Sequence, residues 1–160
     1  MSKPAQKAQF ISPDAYPQMM SKANAARAMQ TLRSAQVAVK AAVAMEAAVP
    51  PMRAAILQYV DELEAAAGDM ARVFDKVHEI RGFAETAGLV SAGRISEILC
   101  RYMDEMSRLN RPLDPTIVAL HVGAIANAAR AEEDNVTMGG IVAGELSALV
   151  ARKLAEAAGR

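Results

Sequence analysis

From residue 69 to residue 87 the apolar side chains recur at steps of three and four. They are Met70, Val73, Phe74, Val77, Ile80, Phe83, Ala84 and Ala87. A helix turning about 100° per residue lines them up as one stripe. The segment therefore reads as an amphipathic helix that must bury that stripe against other elements. Period-two runs of β-branched residues are scarce along the chain, which argues against a sheet. Hydrophobic residues make up 52% of the 160, but aromatics only 4%, with no Trp. Alanine and methionine carry much of that content. Such a mix suits closely packed helices, with Met filling irregular gaps. The expected class is all-α.

By the same rotation His78 falls roughly 130° from the centre of the stripe. It faces solvent or a partner, among Ala71, Asp75, Arg81, Gly82 and Glu85. Gly82 lies one turn after it, and a mid-helix Gly costs roughly 1 kcal/mol relative to Ala. The stripe continues past Gly82, so this glycine does not end the helix. A missing side chain at that place clears space beside an exposed imidazole. Arg81, three residues on, lies on the same flank, and its guanidinium can pair with a phosphoryl group on the ring. A solvated histidine, a cation and a gap suit a nucleophile that accepts and returns a phosphoryl group.

His78-x-x-Arg81-Gly82, followed by Gly88, resembles the signature of histidine-containing phosphotransfer (HPt) domains of bacterial two-component phosphorelays. Those run His-x-x-Lys-Gly, with a later Gly closing the helix. Gly93-x-Ile95-x-x-Ile98-Leu99-Cys100 resembles the helix that follows in that family. Ala67-Gly68-Asp69 resembles the turn before its active-site helix. The resemblance covers residues 53–130. Arg81 departs from the usual Lys, keeping the charge but changing the geometry.

The resemblance implies an antiparallel four-helix bundle with additional N-terminal helices. It implies a phosphorelay intermediate, a carrier without catalytic machinery of its own. His78 would accept the phosphoryl group from a response-regulator receiver aspartate and pass it to another receiver. Arg81 would offset the phosphoryl charge, and Gly82 would give the receiver clearance to dock. Receiver domains would be the partners, with a hybrid histidine kinase as a further one. The chain itself would need no cofactor; Mg²⁺ is expected on the receiver. A different class of protein remains open: a helical adaptor or dimerisation protein, a degenerate HPt-like bundle without phosphate.

The formal net charge is zero. No basic cluster is present, which argues against a nucleic-acid partner. The single cysteine, Cys100, excludes an internal disulfide and fits a reducing compartment. It stands among Ile98, Leu99 and Met103 and reads as a small buried hydrophobe. No apolar run is long enough to span a membrane, and the first residues lack the apolar core of a signal peptide. The expected location is cytoplasmic.

Taken in order, residues 1–20 hold Pro4, Pro13 and Pro17 and read as a loosely ordered tail. Residues 21–49 form an alanine-rich helix, capped by Ser21 and ended by Pro50-Pro51. Met29, Leu32, Val39 and Val43 lie near one of its faces. Its charges are Lys22, Arg27, Arg33 and Lys40, with Glu46 the sole acid. It can pack on the bundle, the preferred reading, or pair with its copy in a homodimer.

Residues 50–160 are the HPt-like bundle. Residues 51–67 form a helix across one end, with Ile56, Leu57, Val60 and Leu63 buried. Asp69 caps the His78 helix and Gly88 closes it. Ser91 is the candidate cap of the next helix, 91–109, whose core face holds Ile95, Ile98, Leu99, Tyr102, Met103 and Met106. Asp114 and Pro115 open the helix 115–132, in which His121 reads as a core-edge histidine bonded to a neighbour. Residues 132–135 read as a solvated acidic break. The last helix, 137–158, buries Ile141, Leu146, Leu149, Val150 and Leu154. No pair of residues has metal-ligand spacing on one helix, and no phosphate-binding loop or nucleophile elbow appears.

Overall fold

The computed structural model describes residues 20–66 and 68–159. The tail expected at 1–20 lies outside the described residues except for Met20, as do Ala67 and Arg160. Six helices follow one another among the described residues: α1 Lys22–Leu32, α2 Ala35–Ala65, α3 Met70–Phe83, α4 Val90–Arg108, α5 Pro115–Arg130 and α6 Val136–Ala158. Among the described residues there is no strand, so the class is all-α. No helix among the described residues is long and apolar enough to cross a membrane. The chain divides into two compact units, Met1–Ala44 and Met45–Arg160.

In the second unit α4 is the central element, packed against α3, α5 and α6, while α5 also packs on α6. Ile95, Leu99, Tyr102, Met103 and Met106 of α4 are all buried, as the sequence pattern predicts. The later half of α2 adds Ile56, Val60 and Leu63, each at most 1% exposed. Burial of side chains of this size contributes about 1.5–3 kcal/mol apiece. Polar ties hold α2 in place. Glu62 pairs with Lys76 of α3, and Arg130 reaches Asp61 at 2.7 Å and Glu64 at 2.5 Å. Arg53 donates to the Ala131 carbonyl at 2.8 Å. All of α2's bonds to α5 fall at the C-terminal end of that helix.

The expected helix boundary at Pro50-Pro51 is overturned. Both prolines lie inside α2, which runs on to Ala65. Their missing N–H groups leave the Glu46 and Ala47 carbonyls without helical donors, but both residues are exposed to water, which supplies the hydrogen bonds. The break comes earlier. Ser21 caps α1 as expected, accepting from the Asn24 N–H at 3.3 Å. The helix then stops at Leu32, and Ser34 begins the next one, its hydroxyl accepting from the Val37 N–H at 3.4 Å. A serine bonded to local backbone favours a cap over a helix interior.

Ser91 is not the cap of α4. It lies in the first turn, 3% exposed, and its N–H donates to Asp134 Oδ2 at 3.0 Å. The acidic break is therefore not simply solvated: Asp134 crosses over to supply the cap that α4 lacks locally. Asn135 caps α6. Phe83 and Ile141, expected in buried stripes, are 48% and 58% exposed. Phe83 stands roughly 90° from the stripe centre, at the margin of what the packed helices cover.

Candidate functional site around His78

Asp69 opens α3, its carboxylate accepting from the Arg72 N–H at 3.2 Å. Val73, Val77 and Ile80, at most 2% exposed, fix the rotation of the helix on the core. Gly88 closes the segment with φ +75°. The Leu89 N–H reaches the Ala84 carbonyl at 2.8 Å and the Gly88 N–H the Glu85 carbonyl at 3.0 Å. This paired pattern is the Schellman closure, which favours Gly at the left-handed position. The start of α3 is thus set by a residue legible in the sequence, but the helix ends at Phe83, one residue after Gly82, and residues 84–87 are turns leading to Gly88 rather than the helix expected there. His78 is held on the outward flank.

His78 is exposed. Arg81 Nη2 lies 3.3 Å from its Nδ1. A guanidinium can only donate, so Nδ1 accepts and the neutral ring carries its proton on Nε2. Arg81 Nη1 also bonds Glu97 Oε2 of α4 at 3.2 Å. The Phe74 ring stacks on the imidazole, centroids 6.0 Å apart and planes at 28°. The histidine is pinned on a face by Phe74 and at one nitrogen by Arg81, and Arg81 is in turn held by Glu97.

A Cβ added at Gly82 would meet nothing within 4 Å. The fold therefore does not need glycine there. Gly123 and Gly144 have the same open surroundings, so the gap at Gly82 takes its meaning from His78 beside it. A cleft of about 440 Å³ adjoins Arg81, with Glu85, Arg94, Glu97 and Ile98 on its walls.

The structure thus brings together His78, Arg81 and Gly82 on one exposed flank, with two residues that sequence reasoning missed. Phe74 had a signal: it precedes His78 by four, the spacing at which helical side chains touch, but it was absorbed into the core stripe. Glu97 had a weaker one. An antiparallel pair of helices turning at Gly88 sets Arg81 opposite residues a similar distance beyond the turn.

The other reactive side chains stand apart. Cys100 is fully buried, and burial pushes its thiol up to about 11, so it stays protonated and inert near neutral pH. His121 is in the interior rather than at the core edge, 0% exposed. Its Nδ1 donates to the Ile117 carbonyl at 2.7 Å, and burial holds its pKa below the ordinary value. Among the described residues no three His, Cys, Asp or Glu side chains are grouped to hold a metal ion.

A scan against protein-family models, a search of curated proteins and a search of solved structures each return no match.

Proposed function

We propose that this chain is a phosphorelay intermediate of the HPt kind, carrying a phosphoryl group on His78 between receiver domains. The observation that carries the reading is the Arg81 guanidinium, 3.3 Å from the ring nitrogen of an exposed histidine. That pair has no structural duty in the core. The helical packing supports a bundle built on α4, which packs against α3, α5 and α6. The half of α2 after Pro51 runs beside α3 through Glu62 and Lys76 and reaches α5 through Asp61, Glu64 and Arg130, rather than lying across one end.

In the transfer, Arg81 turns from Nδ1 to the phosphoryl oxygens, the ring proton moves through solvent from Nε2 to Nδ1, and Nε2 attacks the phosphorus of a receiver's aspartyl phosphate. The N–P bond forms as the P–O bond to the carboxylate breaks, and the carboxylate leaves with the electron pair. The ring proton stays on the other nitrogen until solvent removes it. Arg81 is free to exchange the Glu97 carboxylate for the phosphoryl oxygens, a stronger anionic partner. Gly82 leaves room for the receiver, and the exposed Phe83 edge adds apolar contact. The receiver brings Mg²⁺ and its acidic pocket. The return step is the reverse reaction on a second receiver.

The test is transfer from a panel of phosphorylated receiver domains. Acid-labile, base-stable label on the wild type and none on His78→Ala is the expected result. A folded wild type that takes no label, with receivers active on a control partner, would sink the proposal and favour the adaptor.

A further inference from the structure

A further cavity lies within the second unit, where the start of α4 meets the connection from α5 to α6. It measures about 300 Å³, and ligand sites begin at about that size. It shares no lining residue with the cleft beside Arg81. Ile95 of α4, Ala124 and Ala128 of α5 and Val142 of α6 give it apolar walls. Toward the connection it holds Ser91, Glu133 and Asp134.

Ser91 is 3% exposed, and its hydroxyl has no hydrogen-bond partner among the described residues. Buried hydroxyls are normally bonded. Asp134 stands beside it, Oδ2 accepting the Ser91 N–H at 3.0 Å. Among the described residues neither Glu133 nor Asp134 forms an ion pair, and no cationic side chain lines the cavity. The two arginines that reach this connection are engaged, Arg130 by Asp61 and Glu64 and Arg53 by the Ala131 carbonyl. Helices α4 and α6 both begin here, but Asp134 and Asn135 already accept from their early N–H groups. The acidic rim therefore disfavours an anion. A carboxylate beside a hydroxyl suits a positively charged group with several N–H donors, and the apolar walls suit a short hydrocarbon body.

We infer that this cavity binds a small primary amine. Asp134 and the Ser91 hydroxyl hold its ammonium group, and its hydrocarbon body packs against Ile95, Ala124, Ala128 and Val142. The site does not depend on the role proposed for His78.

The experiment titrates the full chain with n-hexylammonium, n-hexanol and n-hexanoate, which share one hydrocarbon body, and follows the backbone amide NMR shifts. Hexylammonium is expected to give saturable shifts at Ser91, Ile95 and Val142 and to bind about fivefold more tightly than hexanol. Hexanoate gives none. Asp134→Asn, which keeps an acceptor for the Ser91 N–H, weakens hexylammonium by about the same factor and leaves hexanol unchanged. Ala128→Leu fills the cavity and abolishes binding of both. Should that variant lose its helical content by circular dichroism, Ala124→Leu takes its place. Hexylammonium without saturable shifts at these residues overturns the inference. So does hexanoate binding as tightly as the amine, or amine binding unchanged in Asp134→Asn.

Discussion

Gly139 of α6 lies against Ser91 of α4 so closely that a Cβ on residue 139 would fall inside the Ser91 Cβ and Oγ. The two helices meet there because that side chain is missing. The neighbouring Asp134 ties the same place together through the Ser91 N–H. Gly139→Ala is expected to destabilise the protein. The clash involves Ser91 Cβ, which no rotamer change removes, and overpacking of this kind costs about 1–3 kcal/mol. Better helix propensity returns up to about 1 kcal/mol of that. Gly144→Ala in the same helix meets nothing and should stabilise by up to about 1 kcal/mol. Urea unfolding midpoints of the two variants, moving in opposite directions, check the contrast.

Arg81 is bonded to Glu97, so in the proposed transfer Glu97 would compete with the phosphoryl group for its guanidinium. Replacing it by Gln frees the guanidinium from its anionic partner while leaving the side-chain shape. The Arg81–Glu97 pair is partly exposed, 34% and 50% by side chain, and such pairs are worth about 0.2–1 kcal/mol. Glu97→Gln should therefore prolong the life of phosphorylated His78 by about fivefold or less. Arg81→Ala should shorten it. Decay of label after removal of the receiver measures both. Equal lifetimes in all three proteins would show that Arg81 does not touch the phosphoryl group.

Gly82→Ala and Gly82→Glu separate folding from docking. A Cβ at residue 82 meets nothing within 4 Å. Alanine should raise helix stability by up to about 1 kcal/mol and leave transfer nearly intact. Glutamate should keep the fold and abolish transfer, because its side chain and charge occupy the space beside His78. Thermal melts beside the transfer assay distinguish this from simple unfolding.

The helical class, the buried stripes of α3 and α4, and the caps at Ser21, Asp69 and Asp114 were legible because they depend on neighbours a few residues away. What escaped the sequence depends on distant partners. Ser91 has the right chemistry for a cap, but Asp134, far along the chain, does the capping. Pro50-Pro51 normally stops a helix, yet here both carbonyls left without donors face water, so α2 continues. Phe83 fits the stripe by spacing but falls beyond the width that the neighbouring helices cover. Around His78 the spacing correctly set Arg81 and Gly82 on the exposed flank, whereas Glu97 needed the pairing of α3 with α4.

His121 gives the fold an acid sensitivity distinct from that of its carboxylates. Its ring is fully buried, Nδ1–H donates to the Ile117 carbonyl, and burial lowers its pKa below the ordinary 6.5. The unfolded chain therefore takes up a proton on this ring at higher pH than the folded one. Above about pH 7 the ring is neutral in both states and costs nothing. As pH falls below 6.5 the unfolded state is favoured, and stability declines until the folded ring titrates too. The slope from one such proton is at most about 1.4 kcal/mol per pH unit. Glu62, Glu64 and Asp114 act lower down. Lysine or arginine partners hold their carboxyls below 4.5, 4.5 and 3.8, so their contribution is present above those values and lost as pH falls beneath them. His121→Leu keeps the helix, since the Ile117 carbonyl still accepts the backbone N–H of residue 121. Urea unfolding at about pH 7.5 and about pH 5 should show a clear loss for the wild type and a much smaller one for His121→Leu. An equal loss in both proteins would mean that the interior ring is protonated without opening the core.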